Sequence, residues 1–85
     1  VIEGVKADVA SRVAQSVSIP VIGIGAGNGV DGQVLVFSDM LGLYEPLVPK
    51  FVKQYMNGAA SVKEAVKTYA DEVQSRSFPD ENYVY

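Results

Sequence analysis

Two carboxylates stand just past short apolar runs, where α/β proteins keep their ligands and their chemistry. Glu3 follows Val1-Ile2, and Asp39 comes two residues after Val34-Leu35-Val36-Phe37. An acid at such a place is either a catalytic group or a solvated side chain. For Glu3, local sequence alone favours the solvated reading. A third feature is Ile19 to Gly29, which reads I-P-V-I-G-I-G-A-G-N-G. Its first half is the β-branched run of a fully buried strand, and its second half dissolves into Gly23, Gly25, Gly27 and Gly29. Glycines at the carboxyl end of a strand let backbone N–H groups approach something closely, because no Cβ stands in the way. In parallel α/β folds that end of the strands borders the ligand site.

What the chain lacks narrows the chemistry. It has no histidine and no cysteine, which excludes Ser-His triads, histidine-ligated metals, thiolate sites and disulfides from these residues. A net charge of −3 leaves no basic footprint for nucleic acid. No apolar run reaches the roughly 20 residues of a membrane span, so the chain reads as soluble and cytoplasmic, with no membrane partner. With 48% hydrophobic and 20% charged residues, its balance is that of a small globular unit.

The elements that must position these residues follow from period and punctuation. Val9, Ala10, Val13, Ala14 and Val17 form one stripe at helical spacing, so a helix is expected over Ala7–Val17, with Asp8 favourable in its first turn. Pro20 forbids its continuation. A strand at Val1–Glu3, this helix and a strand at Val21–Gly25 make a βαβ unit, whose strands run parallel. The glycines do not fit the dinucleotide fingerprint: G-x-G-x-x-G from Gly23 meets Asn28, and from Gly25 it meets Val30.

Val34–Phe37 is a second unbroken apolar run and a candidate buried strand. Only seven residues separate Gly25 from Gln33, whereas a parallel crossover usually takes about a dozen or more. Three connections stay open: one without a proper helix, a short helical turn capped by Asp31 with the strand starting near Val36, or a hairpin through Asn-Gly or Asp-Gly. Met40–Pro49 reads as a connecting segment punctuated by Gly42, Pro46 and Pro49. Lys50–Met56 reads as a short helix, with Asn57-Gly58 ending it in a left-handed cap. Ser61-Val62-Lys63-Glu64 is a capping box opening a helix to about Ser75. Its apolar stripe is Val62, Ala65, Val66, Tyr69, Ala70 and Val73. Phe78, Tyr83 and Tyr85 are the residues able to tie the unpatterned tail to the body.

In this order, I-P-V-I-G-I-G-A-G (Ile19–Gly27), D-G-Q-V-L-V-F-x-D-x-L-G (Asp31–Gly42), P-K-F-V-K-x-Y (Pro49–Tyr55) and F-P-D-E-N-Y (Phe78–Tyr83) resemble the C-terminal portion of the ketopantoate hydroxymethyltransferases, enzymes of pantothenate biosynthesis. The resemblance runs along nearly the whole chain. It implies the C-terminal third of a (β/α)₈ TIM barrel, from the end of strand six through strand eight and the C-terminal helices. Residues 1–85 would form a partial barrel domain, with 61–85 as terminal helix and tail. The implied reaction moves a one-carbon unit from 5,10-methylenetetrahydrofolate to 3-methyl-2-oxobutanoate.

By the same resemblance Val1-Ile2-Glu3 matches the family's V-[LI]-E, which makes Glu3 the acceptor of the proton next to the ketone. A carboxylate of ordinary pKa, about 4.3, needs burial to act as base for a carbon acid, and a strand end inside a closed barrel supplies it. The family's Mg²⁺ is expected on acids outside these residues, so Asp39 is not taken as a ligand. The complete enzyme is expected to be a homo-oligomer, with the last helix available to a neighbouring subunit. Lys6, Ser38 and Tyr83 depart from the family's usual proline, histidine and tail histidine. These departures bear on hydrogen bonds around the site and leave the implied role of Glu3 intact. Two rival readings are a small phosphate- or nucleotide-binding βαβ module and a non-catalytic assembly fragment.

Overall fold

The computed structural model describes residues 1–43 and 47–85. Strand β1 (Ile2–Glu3) leads into helix α1 (Ala7–Ser16) and then strand β2 (Ile22–Ile24). The two strands are parallel, with Ile2 opposite Gly23 and Glu3 opposite Ile24. The Gly4 N–H donates to the Ile24 carbonyl at 2.9 Å. The N-cap of α1, Lys6, makes no side-chain capping bond, and Asp8 lies in the first turn, near the unpaired N–H groups. It ends at Val17, already extended at φ −123° and ψ 155°, three residues before Pro20. The βαβ unit is the expected one.

Strand β3 (Gly32–Gln33) lies on the other side of β2 and is also parallel, with Ile22 opposite Gly32 and Gly23 opposite Gln33. The connection over residues 25–31 has no helix, which decides among the three open possibilities and removes the hairpin. The loop folds straight back to the start of β2. There the Asp31 carboxylate accepts the Val21 N–H at 2.8 Å, and the Asp31 N–H donates to the Val21 carbonyl at 2.9 Å.

The strand expected over Val34–Phe37 is displaced. Pairing starts at Gly32 and reaches only the Val34 N–H, which donates to the Gly23 carbonyl at 2.8 Å, and Phe37 opens the one-turn helix α2 (Phe37–Met40). The run is also not buried on both sides: Leu35 is 8% exposed, whereas Val34 and Val36 are 44% and 46% exposed. An apolar run looks the same whether one face or two are covered.

Lys50–Met56 is not a helix. The Val52 N–H closes a turn onto the Pro49 carbonyl at 3.0 Å, and the Tyr55 N–H goes to the Met40 carbonyl at 2.8 Å, far along the chain from the i−4 partner a helix would use. Gly58 has the left-handed φ of 82° expected of it. Of the segment expected between Met40 and Pro49, Pro46 lies outside the described residues.

Helix α3 (Val62–Gln74) opens on Ser61, whose hydroxyl accepts the Glu64 N–H at 3.1 Å. The Glu64 carboxylate reaches the Ala60 N–H at 3.4 Å, one residue before the position a capping box prescribes. Its inward residues are Ala65, Tyr69 and Val73; Val62, Val66 and Ala70 of the expected stripe are exposed. The tail, with a 3₁₀ turn at Glu81–Tyr83, is tied down as expected. Phe78, 3% exposed, packs edge-on against Tyr55 and Tyr69 at 5.7 and 6.0 Å and meets Tyr83 at 5.7 Å.

These contacts give the sheet two unlike faces. Ile2 packs with Ala10, Val21, Ala26 and Val30 on the α1 side, and Leu35 packs with Ala65 and Phe78 on the α3 side. Alternation then places Glu3, Ile22, Ile24 and Val34 on the opposite face. On that face Ile24 is buried and Ile22 partly buried, whereas Glu3 and Val34 are exposed. Among the described residues the architecture is a three-stranded parallel α/β sheet, ordered β1-β2-β3, with α1 and α3 packed against the face that carries Ile2 and Leu35.

Candidate active site

The carboxyl ends of β1 and β2 form one rim. Glu3 is the last residue of β1 and is paired with Ile24, so it stands one residue before the level of Gly25. Its side chain is exposed, and among the described residues its carboxylate has no hydrogen-bond or salt-bridge partner. These residues therefore place Glu3 on the rim but do not provide the burial that a base for a carbon acid needs.

The glycines behind it are occupied by packing. Gly25 and Gly27 have φ of 64° and 82°. A Cβ on Gly25 would stand 2.7 Å from the Phe51 ring, one on Gly27 2.5 Å from the Ala7 Cβ, and one on Gly29 2.9 Å from Ser11. What approaches the backbone so closely is the chain itself, at α1 and at Phe51. That leaves no open cradle for a phosphate along this loop.

Asp39 sits in the first turn of α2, away from strand pairing. Among the described residues no three acidic side chains gather into a metal site.

Three polar arrangements have no local sequence signal. Gln33 donates from Nε2 to the Gly27 carbonyl at 2.7 Å, and its own carbonyl accepts from the Tyr69 hydroxyl at 3.3 Å. Arg76 ends α3 in a left-handed conformation, φ 62°. The Ser77 N–H returns to Glu72 and the Arg76 N–H to Val73, a Schellman turn with arginine where glycine is usual. Its guanidinium donates to the Asn28 and Val30 carbonyls at 2.6 and 3.1 Å, and the Asn28 amide donates to the Arg76 carbonyl at 2.9 Å. These residues border a cleft of about 180 Å³ between α3 and the β2–β3 loop. A positive φ on a non-glycine residue was the signal that could have pointed to Arg76, and it is visible only in the fold.

The third arrangement is Glu72, whose Oε1 accepts from Lys53 Nζ and from the Tyr55 hydroxyl, both at 2.8 Å. Burial pushes the Glu72 carboxyl up, but the Lys53 and Tyr55 bonds outweigh it and hold the group below the usual carboxylate range. Burial, followed by the bond to Glu72, drives the Tyr55 phenol far up. This cluster joins α3 to the 49–56 segment.

The family model described as Ketopantoate hydroxymethyltransferase matches residues 1–81. The chain belongs to the ketopantoate hydroxymethyltransferase family. It is 71% identical over all 85 residues to the 3-methyl-2-oxobutanoate hydroxymethyltransferase of Sulfurimonas denitrificans, covering 32% of that protein. Identity to the enzymes of the same name from Nitratiruptor sp. and Aliarcobacter butzleri is 61% and 58%, again over the whole chain and over 33% and 32% of theirs. The chain thus spans about a third of the length of these ketopantoate hydroxymethyltransferases. Among its described residues no helix is long and apolar enough to cross a membrane.

Proposed function

We propose that these residues form the C-terminal third of a (β/α)₈ barrel that transfers a hydroxymethyl group from 5,10-methylenetetrahydrofolate to 3-methyl-2-oxobutanoate, giving 2-dehydropantoate. Glu3 is the proton acceptor. The observation that carries this reading is the placement of Glu3: an exposed carboxylate at the carboxyl end of a parallel strand, on the sheet face opposite Ile2, in a segment with the family's V-[LI]-E pattern.

Barrel enzymes keep their chemistry on that rim. The Glu3 carboxylate takes the C3 proton of the keto acid, and the electron pair of the broken C–H bond passes into an enolate. The nucleophilic C3 then bonds to the methylene carbon as that carbon's bonds to the two folate nitrogens break in turn, with water supplying the hydroxyl group and tetrahydrofolate leaving. The preceding strands would surround Glu3, exclude water from it and leave it as the base. Mg²⁺, where bound in the complete enzyme, would polarise the keto acid through ligands outside these residues; the part played by this chain is proton transfer. The two free sheet edges at β1 and β3 fit a barrel, which abolishes edges by closure. A cytoplasmic, homo-oligomeric enzyme is part of the same proposal.

In the complete enzyme, Glu3→Gln keeps size and hydrogen bonding but removes the base, and turnover of 3-methyl-2-oxobutanoate should fall about 10²–10⁴-fold. Turnover at the wild-type rate would end the proposal.

A further inference from the structure

Gln33 stands at a crossing of four elements. Its backbone pairs with β2 opposite Gly23, its carbonyl accepts the Tyr69 hydroxyl from α3, and its side-chain amide donates to the Gly27 carbonyl at 2.7 Å. Gly27 in turn lies against Ala7 at the start of α1. The loop held in this way begins at Gly25, directly after Ile24, and the Ile24 carbonyl takes the Gly4 N–H that fixes the end of β1 next to Glu3.

A loop with two glycines at positive φ has little intrinsic preference for one shape. A half-buried side-chain bond to its apex carbonyl therefore has a large share in setting where the rim stands. An amide is suited to this: it gives a neutral donor with a planar, well-defined direction, and the residue's main chain stays in the sheet.

We infer that Gln33 is a positioning residue for proton abstraction: by holding Gly27 it sets the Gly25–Gly27 loop and, through Ile24, the register of the rim that presents Glu3. This inference rests on Glu3 being the proton acceptor. Gln33 itself touches no substrate; on the sheet it belongs to the helix-covered face, opposite Glu3.

The test uses the complete enzyme and two variants, Gln33→Met, which keeps length without a donor, and Gln33→Glu, whose carboxylate repels the Gly27 carbonyl. Exchange of the C3 proton of 3-methyl-2-oxobutanoate with solvent is followed without folate. A base displaced by a fraction of an ångström to about 1 Å costs up to about 10²-fold, so kcat for exchange should fall about ten- to a hundredfold in both, with KM within about twofold. In the full reaction, the deuterium isotope effect from C3-labelled substrate should rise, because abstraction becomes slower relative to the other steps. Simple loss of folded enzyme lowers kcat and leaves that isotope effect unchanged. Wild-type exchange, or a loss with an unchanged isotope effect, overturns the inference, and so does failure of both variants to fold, which would make Gln33 a folding determinant. Glu3→Gln run alongside separates the two claims. If it loses exchange while the Gln33 variants do not, only the inference falls; if it keeps wild-type exchange, the proposed function falls with it.

Discussion

Gly27 and Gly58 share a φ of 82° and differ in what surrounds them. A Cβ at Gly58 meets nothing within 4 Å, whereas one at Gly27 would stand 2.5 Å from the Ala7 Cβ and 3.1 Å from its Cα. Alanine at either position pays for left-handed backbone, about 1 kcal/mol. Only at Gly27 must helix α1 or the loop also move, and overpacking of that kind typically adds about 1–3 kcal/mol. Gly58→Ala should therefore cost about 1 kcal/mol and Gly27→Ala about 2–4 kcal/mol. Urea unfolding of the complete protein, compared through midpoints at constant m, measures both. Adding Ala7→Gly should return part of the Gly27→Ala loss, because the two substitutions share one contact and cannot be additive. Equal losses at Gly27 and Gly58, or strict additivity with Ala7→Gly, would refute the view that this loop is packed against α1.

Two further outcomes follow from the same contacts. The Glu72 carboxyl is held below its ordinary value of 4.5 in the folded chain. Its stabilising contribution is therefore complete above that value and is lost as pH falls through the folded-state value. Tyr55→Phe removes one of its two donors and should cost about 1 kcal/mol at neutral pH, with a smaller difference from wild type in acid; a difference that grows on acidification in urea titrations would contradict this. As an isolated piece, the 85-residue chain carries free edges at β1 and β3 and exposes Ile19, Phe37 and Leu47, so it should associate or unfold readily. A monomeric, cooperative thermal transition in dilute solution would show instead that these edges and exposed side chains are tolerated.

What could be read from the sequence was local, and what escaped it was long-range. The stripe of α1, the Ser61 cap and Pro20 act over a few residues, so both long helices and the parallel βαβ unit were visible beforehand. The Lys50–Met56 segment has helical spacing, but its Tyr55 N–H is claimed by the Met40 carbonyl, a partner no local pattern names. Val34–Phe37 misled because hydrophobicity does not tell a strand buried on both faces from extended chain bordering an open one. Val62 and Val66 misled for the related reason that an apolar stripe does not say what covers it. The rim position of Glu3 was legible from Val1-Ile2-Glu3 and Gly4. Gln33 and Arg76 were not, since their bonds to Gly27, Asn28 and Val30 exist only once the β2–β3 loop has folded back.

The central claim, that Glu3 removes the C3 proton, is tested most directly by deuterium uptake at C3 of 3-methyl-2-oxobutanoate. It is followed by NMR in D₂O without folate, in the complete enzyme and its Glu3→Gln variant. This half-reaction isolates abstraction from carbon transfer. Loss of a general base predicts uptake slower by about 10²–10⁴-fold in a variant that remains folded; uptake at the wild-type rate would show that Glu3 is a surface acid and that the base lies elsewhere.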